Sequence, residues 1–236
     1  MANWNSNSNV SISRLIIVPS VIALALTVLR LVGELQHWSP TWFSPEPGGI
    51  EPTGVSWIIG ITWLGFPFGV YFAMKLARSG QGPKSAARAV ALAVLCSAIF
   101  VVGMKVIVPR LSDDPNDFQS RLIIIWASSA VPAAITFLAW PQLWKTMLAY
   151  GLASRIPVAI IMFVAMRGNW GTHYDYGGVI PPDRFGEYYI WLALVPQLVF
   201  WVAFTILSGM LTGSITAALL RRGKPVHTEG AYGAAS

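Results

Sequence analysis

RIPVAIIMFVAMRGNWGTHYDYGGVIPPDRFGEYYIW, residues 155–191, carries an arginine inside an apolar run, a proline two residues later, a polar loop rich in glycine and aromatics, and then a second apolar run. The loop separates two segments that have nowhere to hide their side chains except a core or a lipid phase. The rest of the chain decides for lipid. Of 236 residues 55% are hydrophobic and only 11% charged, too apolar for an ordinary soluble domain. With no water to satisfy backbone groups inside a bilayer, such runs are expected as helices. The fold class read from the sequence is therefore all-α, a polytopic integral membrane helix bundle.

Working outward from that loop, six apolar runs are expected as transmembrane helices, at about 15–35, 55–77, 86–108, 122–143, 147–166 and 188–220, since about 20 residues at 1.5 Å each cross a core of about 30 Å. Residues 1–14 and 221–236 form polar tails. The first run resembles a secretion leader, but it continues into Arg30, Leu31 and Val32 without a small-residue cleavage site, so a retained helix is expected. Pro67 in the second run predicts a kink, and Gly65 with Gly69 predicts a close helix neighbour. Pro157 holds the matching rank among the last three runs, where an inverted repeat would break its helix, although the halves share no residue-level similarity. The last run, about 33 residues or 50 Å, is too long for one crossing without tilt, overhang or a break near Gly209 or Gly213.

Lysine and arginine set the orientation. Arg14, Lys75, Arg78, Lys84, Arg88, Lys145, Arg221, Arg222 and Lys224 all fall on the side of the termini, while nine of the ten acids fall on the other, among them Glu46, Glu51, Asp113, Asp114 and Asp117; Glu229 is the exception. Both termini are thus expected in the cytoplasm (N-in, C-in), with the polar loops outside. The expected location is the cytoplasmic (inner) membrane of a bacterium. The net charge of +6 lies in short helix flanks, which argues for orientation and against nucleic acid as a partner. One cysteine, Cys96, permits neither an intramolecular disulfide nor a thiol-built metal site.

Candidate site residues follow from scarcity of charge. Arg155 sits about nine residues, or 13 Å, into the fifth expected helix, where insertion costs about 2.5–3.5 kcal/mol and demands a partner. No acid shares its depth. Headgroups reached by snorkelling, the carbonyl of Ala153 freed by Pro157, hydroxyls, water or a bound anion remain. Arg30 and Glu34 are one helical turn apart and form either a local surface pair or part of an outer cluster with His37, His173 and Asp175. His-x-Asp in an extended segment would point both side chains one way. Such a cluster would handle a proton or a cation; a zinc site would have to draw three or four ligands from it, with no helical HExxH to fix them, so no metal and no cofactor is expected. Trp170, Tyr174 and Tyr176 suit an aromatic cap over the bundle mouth as well as a substrate site.

The sequence contains no GxSxG, no GxxxxGK[ST], no HExxH and no pair of intramembrane acids. Two function classes lead: a small transporter or permeation component with an outward-facing polar site for a polar or anionic small solute, and a noncatalytic membrane subunit or scaffold docking a partner protein or lipid. An intramembrane enzyme using His173 with Asp175 or Glu34 is the weaker third. The lipid bilayer is a partner in each. A cavity joining Arg155 to the outer loop separates the first class from the second.

Overall fold

The computed structural model describes residues 10–45, 55–111, 118–175 and 180–222. Glu46, Glu51, Asp113, Asp114, Asp117, Tyr176, Gly177, Gly178, Lys224 and Glu229, and with them most of both tails, lie outside the described residues. The described residues contain helices and turns and no strand. The helices are α1 (Ile12–Leu35), α2 (Gly65–Arg78), α3 (Ala86–Val102), α4 (Phe118–Ile135), α5 (Pro141–Gly168) and α6, the run Pro182–Arg221. Among the described residues five segments are long and apolar enough to cross a membrane: α1, α5, α6, α3 extended to Arg110, and α4 extended to Leu138. Their outward faces carry exposed Val18, Val21, Leu95, Val101, Ile160 and Leu219, an apolar outside that suits lipid.

The second expected crossing is not one helix. Residues 55–64 descend as two short 3-10 turns, Ser56–Ile59 and Thr62–Leu64, with a break at Gly60, and regular α-helix begins only at Gly65. Fourteen residues of α2 rise about 21 Å, short of a full crossing. Pro67 therefore does not kink a long helix. It lies in the first turn of a short one, where a missing N–H costs least. In α5 the helix runs through Pro157 without interruption, so the two prolines do not break matching helices.

Other boundaries shift for similar reasons. α5 begins at Pro141, six residues before the expected start, because proline is pre-shaped for a first turn. Arg155 consequently lies 14 residues from one end of α5 and 13 from the other, about 20 Å from each, deeper than the sequence suggested. α6 runs on past Gly209 and Gly213, and its irregularity lies earlier, in π-helical turns at Ile190–Leu194 and Pro196–Trp201. Pro196 supplies no N–H to the α ladder there, and a wider turn absorbs the gap.

α2 packs most extensively on α6, and α1 leans on α5. The small-residue pairs of α2 and α6 face each other: a Cβ on Gly69 would lie 2.5 Å from the Cα and 2.6 Å from the carbonyl oxygen of Gly209, so the two backbones touch. Thr212 donates to the carbonyl of Phe66 across this contact at 2.9 Å. At the end of the bundle where α2 stops and α3 starts, Arg221 donates to the carbonyls of Pro83 and Lys84, and the Trp140 indole donates to the carbonyl of Gln81 at 2.7 Å. The opposite end holds the close of α1, residues 55–59 and the loop after α5.

Candidate functional site

α1 brings Arg30 and Glu34 to the bundle side of its last turns. Arg30 Nε donates to Glu34 Oε1 at 2.8 Å, and the Glu34 side chain is 0% exposed. The pair is thus internal. The guanidinium also reaches the carbonyl of Ser44 at 3.4 Å, which holds the loop after α1 against the helix. That helix stops just beyond. The backbone N–H of Trp38 bonds the carbonyl of Gly33, that of His37 bonds Glu34, and His37 takes φ 50°, the left-handed cap at which a helix usually places glycine. This turn swings His37 outward, and it is exposed. His37 therefore does not join the expected cluster with Glu34, because the helix ends at Leu35 before reaching it.

The loop after α5 closes over this point. The backbone N–H of His173 donates to Glu34 Oε2 at 2.9 Å, and Nδ1 of the same residue sits 2.7 Å from Oε1. Glu34 therefore gathers Arg30 together with the backbone N–H and Nδ1 of His173. Burial outweighs the carboxylate and holds the His173 imidazole below its usual range, so it bonds Glu34 as a neutral donor. Tyr174 is buried next to it and donates to the carbonyl of Thr27 at 3.2 Å; burial pushes its phenol well above the ordinary range.

Asp175 does something else. Residues 172–175 form a turn, not an extended segment, and the carboxylate accepts from the backbone N–H of Gly171 at 2.5 Å and from the Thr172 hydroxyl at 3.2 Å. It shapes the loop locally. The four-residue outer cluster reduces to Glu34 and His173, with Arg30 already occupying the carboxylate. Among the described residues no three His, Cys, Asp or Glu side chains are placed to hold a metal ion.

Arg155 faces the bundle interior at 4% exposure, so it does not snorkel to headgroups. Nor does it cap the carbonyl of Ala153. Its Nη1 donates to Gln197 Oε1 at 3.4 Å, its Nη2 donates to Thr62 Oγ1 at 3.3 Å, and its guanidinium lies 5.0 Å from the Trp201 ring centre. Both hydrogen bonds are long, and the buried Nε has no partner among the described residues. Among the described residues no carboxylate forms an ion pair with it. Gln197 belongs to the π-helical stretch, where the widened turn carries it inward against Met162.

A half-open cavity of about 830 Å³ links the two levels. Arg30, His173 and Tyr174 line its outer part, while Thr62, Arg155, Gln197 and Trp201 line its deeper part. The helical stretch that begins at Thr62 presents its N-terminal end there, adding the positive pole of α2 to the charge of Arg155. The non-helical backbone at 55–61 borders this cavity, the kind of place where irregular backbone at membrane depth is tolerated. Sequence reading missed Thr62, Gln197 and Trp201. The one signal available was Pro196-Gln197, a helix-disrupting residue beside an amide within an apolar run.

Compared with known proteins, the chain matches no family model, no curated protein and no solved structure.

Proposed function

We propose that the chain is a small transporter or permeation component of a bacterial cytoplasmic membrane that takes an anionic small solute from the exterior into the cavity above Arg155. In this reading six segments traverse the bilayer, the second being the descending stretch 55–64 followed by α2, and both termini face the cytoplasm as the lysine and arginine bias requires. The observation that carries it is Arg155: a buried cation halfway along α5, lining a cavity, with one nitrogen unpartnered and no carboxylate among the described residues to neutralise it. A fixed charge inside a membrane-spanning helix is costly, faces the bundle interior or a cavity, and is by default a functional-site candidate. Glu34 compensates Arg30 at the mouth, so the net positive potential is concentrated below, where Arg155 and the α2 N-terminus converge.

Anion flux into phosphatidylcholine proteoliposomes tests this, using sodium salts of nitrate, acetate, phosphate and benzoate. Wild-type protein should raise the flux of at least one of these above empty vesicles. Arg155→Gln should abolish the increase, and Arg155→Lys should keep part of it because the charge remains without the planar fork. No flux above empty vesicles across the series, or full flux in Arg155→Gln, overturns the reading.

A further inference from the structure

The walls of the cavity say more about the occupant than its charge does. A compact anion such as sulfate fills only a few water volumes of about 30 Å³ each, whereas the cavity measures about 830 Å³, within the range of about 300–1,000 Å³ typical of sites for drug-sized ligands. The surplus space is not polar. Trp57 and Trp63 face it from the stretch 55–64 and Trp191 and Trp201 from α6, together with Phe66 and Phe204.

Three of the four indoles are anchored by neighbours. The Trp63 indole donates to the carbonyl of Ile58 at 2.9 Å, Trp191 stacks on Trp126 at 5.2 Å and 13°, and Trp201 packs edge-on against Phe204 at 6.0 Å. Indole N–H groups usually seek partners when buried, and here the one on Trp63 has found the backbone, which leaves ring surface for contact. A hydrated inorganic anion would leave that surface facing water. An apolar body attached to the anion would cover it.

We infer that the cavity takes an organic anion with an apolar body of about ring size or larger, its charged group at Arg155 and its body among the tryptophans. This rests on the reading of Arg155 as an anion anchor and adds the chemical class of the ligand. The guanidinium supplies the Nε donor that no group among the described residues uses, and the N-terminal end of the helical stretch leading into α2 supplies a second positive pole on the same side. The same chemistry belongs to a soluble aromatic acid and to a single-chain lipid with an anionic headgroup.

Titration calorimetry on the full chain in phosphatidylcholine nanodiscs separates these, using naphthalene-2-sulfonate, methanesulfonate and dodecyl phosphate. Naphthalene-2-sulfonate should bind at least about tenfold tighter than methanesulfonate, which has the same headgroup and no body. Trp191→Leu should reduce that ratio about three- to tenfold, the worth of a lost aromatic contact. Trp57→Leu, at an exposed position on the rim, is the second variant should Trp191→Leu fail to fold. Dodecyl phosphate binding tighter than naphthalene-2-sulfonate supports the inference and assigns a membrane lipid; the reverse order supports it and assigns a soluble acid. Equal affinity for the two sulfonates, or a ratio unchanged in both tryptophan variants, overturns the inference while the role of Arg155 stands. Binding of both sulfonates unaffected by Arg155→Gln, or no binding of any of the three compounds at millimolar concentration, overturns both.

Discussion

Replacing Glu34 tests whether the α1 pair is a surface ornament or the pin that holds the outer loop. The side chain is fully buried and receives three donors, from Arg30 Nε at 2.8 Å and from the His173 backbone N–H and Nδ1, each at 2.9 Å. Glu34→Ala leaves a nearly buried guanidinium without its carboxylate and a loop N–H without an acceptor. Breaking a buried pair from one side costs about 3–5 kcal/mol, less than the sum of three charged hydrogen bonds because the contributions are not additive. At roughly 2–4 °C per kcal/mol for a chain of this size, the midpoint of thermal unfolding in nanodiscs should fall by roughly 6–20 °C. Glu34→Gln keeps one oxygen but turns an amide donor toward other donors, and should cost about 2–3 kcal/mol. Arg30→Met combined with Glu34→Ala removes the orphaned charge and should be less destabilised than Glu34→Ala alone. Hydrogen exchange of residues 170–175 should accelerate in both Glu34 variants. A loss below about 1 kcal/mol for Glu34→Ala, the value of an exposed ion pair, with loop exchange unchanged, would refute the argument.

Acidification should loosen the same loop. His173 has its folded pKa held below the unfolded value of about 6.5, so the unfolded chain takes up the proton first, and stability falls as pH drops through about 6.5 towards the folded value. Glu34 and Arg30 on α1, and Asp175 and Tyr174 on the loop, are the groups that face or adjoin it; hydrogen exchange of residues 170–175 at pH 7.5 and pH 5.5 reads the effect, and His173→Gln should flatten it. At the helix contact, Gly69→Ala should cost about 1–3 kcal/mol, because its Cβ meets the Gly209 backbone, whereas Gly209→Ala should cost less, because its Cβ meets the flexible end of Met147. Equal unfolding midpoints for the two variants would remove the distinction.

How much of this was written in the one-dimensional chain follows from the range of each interaction. Long apolar runs with self-satisfied backbones, the small-residue pairs at Gly65/Gly69 and Gly209/Gly213, and the rarity of a charge such as Arg155 are local properties, and composition and spacing expressed them. Glu34 and His173 were legible as polar groups near one end, because the order of crossings puts the close of α1 and the loop after α5 together. Their bond to each other, and the exclusion of His37 and Asp175, were decided by local turns: a left-handed cap at His37 and a tight turn at 172–175. The breaking of 55–78 into turns and a short helix had no local signature beyond Gly60 and Pro67. Apolar side chains of that stretch satisfy a continuous helix equally well, and only the α2–α6 contact and the cavity beside it select the broken form. Gln197, Thr62 and Trp201 lie 42, 93 and 46 residues from Arg155 in sequence, and only packing brings them to it. A sequence fixes which segments must leave water; which of their side chains then share a cavity is set by helix rotation and depth, and those are properties of the assembled bundle.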